Sequence, residues 1–240
     1  MCTVTWIFHP RGYDLLMNRD ELHTRGRALP PRYSTAGGIR FLAPIDRDAN
    51  GTWIAANELG VTGGLLNRYP SDQVGDPSGP RESRGKLVLS LAGAASAADA
   101  LGGITPERLT AYRPFTLFAI DPTQILALAW DAGGTAERFQ PDMPLSSSSF
   151  RSEEVVATRV ALFRGEFADR VTPDRLREFH SAHDPEHGAF SVCMKRPDAA
   201  TKSLSHVSVD ETEVRFGYYD GPPCDDPPET VHTLARESSR

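Results

Sequence analysis

The chain has 240 residues, 39% of them hydrophobic and 24% charged, the balance of an ordinary soluble globular protein of one large domain or two small ones. A formal net charge of −6 leaves no basic field to attract phosphates, which argues against a nucleic-acid binder. Three cysteines (Cys2, Cys193 and Cys224) are too few and too scattered for a disulfide framework or a zinc site, no apolar run approaches the roughly 18 residues needed to span a bilayer, and no signal-peptide pattern opens the chain, so the expected setting is a reducing cytoplasm without integral membrane association.

Residues 2–9 are rich in β-branched and aromatic types and predict a first strand. Pro10, Arg11 and Gly12 punctuate, and 13–19 predicts its hairpin partner. Cys2 shares parity with Val4, Trp6 and Phe8, which puts it on the apolar face. A polar loop containing Pro30 and Pro31 is expected next. A second hairpin is predicted over 51–57 and 61–67, turning at Glu58, Leu59 and Gly60. Residues 70–85, rich in Pro, Gly, Ser and Asp, read as a surface loop or a lid. Alanine-rich apolar spacing predicts helices over 86–95 and 96–101, and two nearly continuous apolar runs predict buried antiparallel strands over 115–120 and 125–130. A helical stripe runs over 153–167 with Ser152 as its cap, and Pro173 opens a further helix. Strands are predicted over 190–194, 203–209 and 213–218. The acidic, proline-rich end after Gly221 reads as disordered, which leaves one domain over 1–224 and a disordered tail over 225–240. Strands and helices come in runs, so the fold class is α+β with layered antiparallel sheets.

Position 2, if not simply a small residue tolerated by processing, is the first candidate for chemistry. Removal of Met1, usual before a residue as small as cysteine, leaves Cys2 with a free α-amine beside its own thiol. Their ordinary pKa values, about 7.7–8.0 and 8.5, allow a proton to pass between them near neutral pH. Asn18, Arg19, Asp20 and Glu21 end the second strand, within reach of the chain start. Arg19 would favour a thiolate by charge, and either Asp20 or Glu21 could accept hydrogen bonds from the ammonium group.

Met1-Cys2-Thr3 together with the tetrapeptide Asn18-Arg19-Asp20-Glu21 resembles the NRDE family of transport and Golgi organisation protein 2-like proteins. Further marks occur in order: Gly51-Thr52-Trp53, Gly60, Leu66-Asn67-Arg68, Ser83-Arg84-Gly85, the serines of 146–149, Ser191-Val192-Cys193-Met194 and Tyr219-Asp220-Gly221-Pro222-Pro223. That family is distantly similar to N-terminal nucleophile hydrolases of the choloylglycine hydrolase type. The resemblance implies a four-layer αββα sandwich of two antiparallel sheets. It makes Cys2 the nucleophile of a cofactor-free cysteine amidohydrolase acting on a small acylated amide. Arg19 and Asp20 hold the nucleophile, Asn67 serves the oxyanion, and Trp53, Glu21 and Arg68 line the substrate pocket. The other implied role is a non-catalytic carrier of an amphipathic ligand, a lipid or haem, in the same pocket. One departure stands out. The hydrolases separate arginine and aspartate by two residues, whereas Arg19 and Asp20 are adjacent and therefore point to opposite faces of a regular strand. Both reach the pocket only if the strand bends, or Glu21 takes the carboxylate's place.

His180, His183 and His187 suggest a metal at first sight. Pro185 breaks the helical register before His187, and no cysteine partner is expected beside it. They read as polar residues at a helix end, with no metal site. Cys193 reads as an inert buried thiol within a strand and Cys224 as incidental.

Overall fold

In the computed structural model, which describes residues 2–69, 82–131 and 134–237, the first hairpin forms as predicted from β1 (Cys2–His9) and β2 (Gly12–Leu22). These strands are central in a six-stranded sheet of order β10-β1-β2-β11-β12-β13, antiparallel throughout. Its other members are β10 (Leu145–Ser147), β11 (Ala199–Val209), β12 (Glu213–Tyr219) and β13 (Glu229–Ala235). A seven-stranded antiparallel sheet follows chain order: β3 (Leu29–Ala36), β4 (Ile39–Ile45), β5 (Ile54–Asn57), β6 (Thr62–Asn67), β7 (Phe115–Ile120), β8 (Ile125–Trp130) and β9 (Ala136–Phe139).

Three apolar interfaces stack these sheets into four layers. Between the sheets, Cys2, Val4, Trp6, Leu15 and Met17 meet Leu42, Ile54, Leu66, Phe118 and Ile120. Outside the seven-stranded sheet lie α1 (Gly85–Leu91), α2 (Ala97–Gly102) and α3 (Pro106–Leu109), whose Leu87, Leu91, Leu101 and Leu109 cover Leu65, Leu117, Ala119 and Leu128. Outside the six-stranded sheet lie α4 (Ser152–Leu162), the π-helical turn 163–167 that continues it, and α5 (Pro173–Ser181); here Phe163, Leu176 and Phe179 cover Leu16 and Leu204. Alternate residues of β7 therefore face a sheet or a helix, and both environments are apolar. That is why its sequence is a nearly continuous hydrophobic run, interrupted by Thr116.

Four readings need correction. The polar loop around Pro30 and Pro31 is strand β3. It lies at the sheet edge, where missing proline N–H groups break no ladder, and its pairing with β4 slips between Leu29 and Arg32. Gly37 and Gly38, both at positive φ, make the two-residue turn that joins it to β4. Residues 190–194 are irregular rather than a strand. Their carbonyls accept from side chains instead: Ser191 from Arg159 Nη2 at 2.7 Å and Val192 from Asn18 Nδ2 at 3.1 Å. Ser152 is the first residue of α4 rather than its cap; the capping position is Arg151, in a left-handed conformation. The expected disordered tail contains β13, which pairs with β12 from Glu213↔Ala235 to Tyr219↔Glu229. An edge strand needs few apolar residues, and Leu234, 3% exposed, is the one β13 places in the core. The predicted lid falls on 70–85, of which 70–81 lie outside the described residues.

His180 sits beneath the six-stranded sheet, its Nε2 2.9 Å from Thr5 Oγ1. Burial, aided by the charges of Arg159 and His206, lowers its pKa to about 3. The unfolded value is about 6.5, so the unfolded chain binds a proton that the native state refuses. The contribution is fully present above about pH 6.5 and is lost as pH falls toward 3, with a slope of up to ~1.4 kcal/mol per pH unit. Denaturant titrations should show a steeper acid loss for wild type than for His180→Gln. Parallel pH profiles for the two proteins would refute this.

Candidate active site

Cys2 pairs directly with Arg19 across β1 and β2. Side chains of opposed residues share a face, so thiol and guanidinium both project between the sheets. They open onto a cleft of about 580 Å³ that also takes in Glu21, Trp53 and Asn67. Five of the seven expected site residues are thus brought together.

Arg19 is held on three sides. Its Nη2 is 2.8 Å from Asp46 Oδ2 and 3.6 Å from Glu21 Oε2, and its guanidinium lies 4.5 Å from the centroid of the Trp53 ring. Asp46 also accepts from Arg25, Nε at 3.1 Å and Nη2 at 2.9 Å. Burial pushes the Asp46 carboxyl upward, but the bond and charge of Arg25, the charge of Arg19 and the Ala49 amide together hold it below the usual range. It stays ionised and fixes both guanidinium groups.

Asp20 is not in the cleft. The register Cys2↔Arg19 and Thr3↔Asn18 is regular, so β2 does not bend, and Asp20 points to the helical side. The irregularity falls in β11 instead, between Thr201 and Ser203. Asp20 Oδ1 accepts from Thr201 Oγ1 at 2.7 Å, and Oδ2 lies 3.6 Å from Arg159 Nη1. Both members of this ion pair are buried. Glu21, two residues after Arg19 and on its face, is the carboxylate of this segment that reaches the cleft. Asp20 still bears on Cys2 from below. Burial raises the thiol pKa and the Asp20 charge adds to it, while Arg19 and the Asp20 backbone amide oppose. The thiol is therefore held neutral, and a nucleophilic role requires a base beside it.

Asn67 ends β6 at the cleft, its Nδ2 3.2 Å from the Tyr69 hydroxyl. Arg68, the next residue, points the other way, into a separate cavity of about 750 Å³ together with Ser149 and Glu153. The alternation that brings Asn67 in sends Arg68 out.

Sequence reasoning gave no role to Asp46, Arg25, Arg84, Ser147 or Arg159. Arg84 lines the cleft and donates to the Pro114 carbonyl at 2.7 Å. Ser147 Oγ accepts from the Cys2 backbone N–H at 3.2 Å. Arg159 had a signal: it lies one helical turn after Val155, on the buried stripe of α4. A charge there requires a buried partner. The motifs Gly51-Thr52-Trp53 and Ser83-Arg84-Gly85 also acquire a reason. A Cβ on Gly85 would lie 2.8 Å from both Thr52 N and Thr52 O, and one on Gly51 would lie 2.9 Å from Gly85 Cα. Two backbones cross here at the rim, and no flexible side chain is available to yield. Gly85→Ala should cost about 1–3 kcal/mol in denaturant unfolding. An unchanged midpoint would show that the crossing has room.

Two antiparallel sheets face to face, with helices on each outer surface, define the class as the N-terminal-nucleophile-hydrolase fold. Solved structures agree. The C2A mutant of the conjugated bile acid hydrolase from Clostridium perfringens superposes with a TM-score of 0.56 at 12% identity, over 98% of this chain and 92% of that one. The Caenorhabditis elegans ortholog of N-acylethanolamine-hydrolyzing acid amidase gives 0.58 at 8% identity, over 86% and 92%. At these identities the likeness carries the fold alone. No curated protein sequence matches the chain significantly. The chain belongs to the Transport and Golgi organisation 2 family, whose sequence profile matches residues 1–207. Among the described residues no helix is long and apolar enough to cross a membrane.

Proposed function

We propose that this chain is a cytoplasmic cysteine amidohydrolase of the N-terminal-nucleophile type, cleaving a small acylated amide. The observation that supports it most is the cross-strand pairing of Cys2 with Arg19 at the head of a cleft that also holds Asn67. With Met1 removed, the neutral α-amine takes the thiol proton and sulfur bonds to the amide carbonyl carbon. Asn67 Nδ2 turns from Tyr69 to donate to the oxyanion. The tetrahedral intermediate collapses, the C–N bond breaks, and the ammonium returns its proton to the leaving amine. Water then hydrolyses the thioester and regenerates the thiol. Burial of the thiol makes the adjacent amine indispensable as base, because the sulfur does not ionise unaided.

Among the described residues, four arginines line the cleft (Arg19, Arg25, Arg84 and Arg113) against three carboxylates (Glu21, Asp46 and Glu82). That excess favours a substrate with a carboxylate or another anionic group. The two neighbours are named for conjugated bile acids and N-acylethanolamines, which supports an acyl amide as the reacting group. Intact-mass measurement is the first test, and loss of Met1 is expected. A chain that keeps Met1 seals the amine in a peptide bond and ends the mechanism. Asn67→Ala should lower kcat about 10²–10³-fold with substrate binding largely retained. An unaltered kcat would remove Asn67 from the mechanism.

A second reading has its own support. The thiol is neutral as folded, and Asn67 is engaged with Tyr69. A carrier of an amphipathic ligand such as a lipid or haem requires neither group to be free, and in that case Cys2→Ala leaves ligand affinity unchanged.

A further inference from the structure

The four residues set aside as helix-end histidines and inert cysteines come together in space. His183 and His187 lie in the segment after α5, Cys193 in the irregular stretch that follows, and Cys224 in the short 3₁₀ turn Pro223–Asp225 after β12. One donor atom from each lies within 4.8 Å of all the others. The two imidazoles stack face to face, 3.7 Å between centroids and 7° from parallel. His183 Nε2 is buried with no hydrogen-bond partner among the described residues.

We propose that His183, His187, Cys193 and Cys224 form a four-coordinate zinc site. Zinc bonds of about 2.0–2.1 Å to nitrogen and 2.3 Å to sulfur place tetrahedral ligand atoms roughly 3.3–3.8 Å apart. The observed cluster needs a contraction of about 1 Å to meet that, and three of its four residues sit in loop or turn segments that can supply it. Two neutral imidazoles and two thiolates are a donor set that zinc takes readily, and the site charge sums to zero as two thiol protons pass to solvent. A disulfide between Cys193 and Cys224 is the competing chemistry. It gives the paired histidines no role and leaves His183 Nε2 buried and unsatisfied.

Four protein ligands leave no open position, so the metal is structural rather than catalytic. It ties the turn after β12 to the segment after α5, beside the ion pair of Arg177 with Asp226 at 2.8 Å. The stretch bearing Cys193 in turn supports the floor under Cys2. Ser191 O receives Arg159, Val192 O receives Asn18, and Met194 N donates to Thr201 Oγ1, the hydroxyl that bonds Asp20. Zinc thus stiffens the layer beneath the Asn18-Arg19-Asp20-Glu21 segment, whether or not that segment is catalytic.

The test is metal analysis of full-length protein purified under reducing conditions without chelator, followed by chelation and titration with cobalt(II). About one equivalent of zinc per chain is expected, with thiolate-to-cobalt charge transfer and intense tetrahedral visible bands that saturate at one equivalent. Chelation should lower the thermal midpoint by about 5–10 °C. Cys224→Ser and His183→Ala should each abolish the wild-type cobalt spectrum, while Cys2→Ala retains it in full. Should the ligand variants fail to fold, the wild-type titration decides alone. Reduced wild type that carries no zinc and gives no tetrahedral cobalt bands overturns the site, as does a mass showing a Cys193–Cys224 disulfide in protein that also refuses cobalt.

Discussion

Cys2→Ala is expected to abolish hydrolysis of an acyl-amide panel, with kcat falling at least about 10⁴-fold, while the protein unfolds at nearly the wild-type denaturant concentration. The two halves of that expectation rest on different facts. Cys2 is 6% exposed on a strand held on one side by β2 and on the other by β10, so losing one sulfur atom leaves both ladders intact. Among the described residues, Cys193 lies beneath the sheet with α5's loop and Cys224 in the turn beyond β12, so neither opens onto this cleft. Cys2→Ser should be nearly as impaired. A buried hydroxyl is far harder to ionise than a thiol, and the α-amine is too weak a base to compensate. Full turnover by Cys2→Ala would remove sulfur from the reaction, and unchanged ligand affinity in that variant would favour the carrier. Because the zinc cluster shares no residue with the cleft, failure of either proposal leaves the other intact.

Arg159→Met carries the largest expected loss of stability, about 3–5 kcal/mol, or roughly 6–20 °C for a chain of this size. Arg159 and Asp20 have side chains 1% and 0% exposed. Removing the guanidinium strands a buried carboxylate to which Thr201 Oγ1 donates at 2.7 Å. It also releases Thr3 Oγ1, Ser146 Oγ and the Ser191 carbonyl, which Arg159 binds at 2.8, 3.2 and 2.7 Å. Neutralising the partner should recover much of the loss. The double variant Arg159→Met with Asp20→Asn is expected to be more stable than Arg159→Met alone, since the penalty comes mainly from the unpaired charge. Additive single effects, or a midpoint within about 2 °C of wild type for Arg159→Met, would show that the pair is not coupled as described.

Much of the architecture was legible because it depends on local periodicity. Alternation in 2–9 put Cys2 on the apolar face, and the runs 115–120 and 125–130 matched β7 and β8 residue for residue. Strand parity also signalled that Arg19 and Asp20 would diverge, and they do, with Glu21 returning to the cleft. Edge strands were the weak point. Neither β3 nor β13 has the density of apolar residues that marks a central strand, because an edge needs one pairing partner and little core.

What the chain determined by itself was the first hairpin, the apolar face on which Cys2 lies and the buried strands β7 and β8. All of these follow from neighbours a few residues apart. What only the tertiary structure decided were contacts between distant segments: Asp46 clamping Arg19, Gly85 crossing Thr52, Arg159 meeting Asp20, and Cys224 closing on two histidines and a cysteine. Linear spacing carries no information about such meetings, because they are set by how whole layers pack, and packing is a property of the assembled surfaces rather than of any one stretch of sequence.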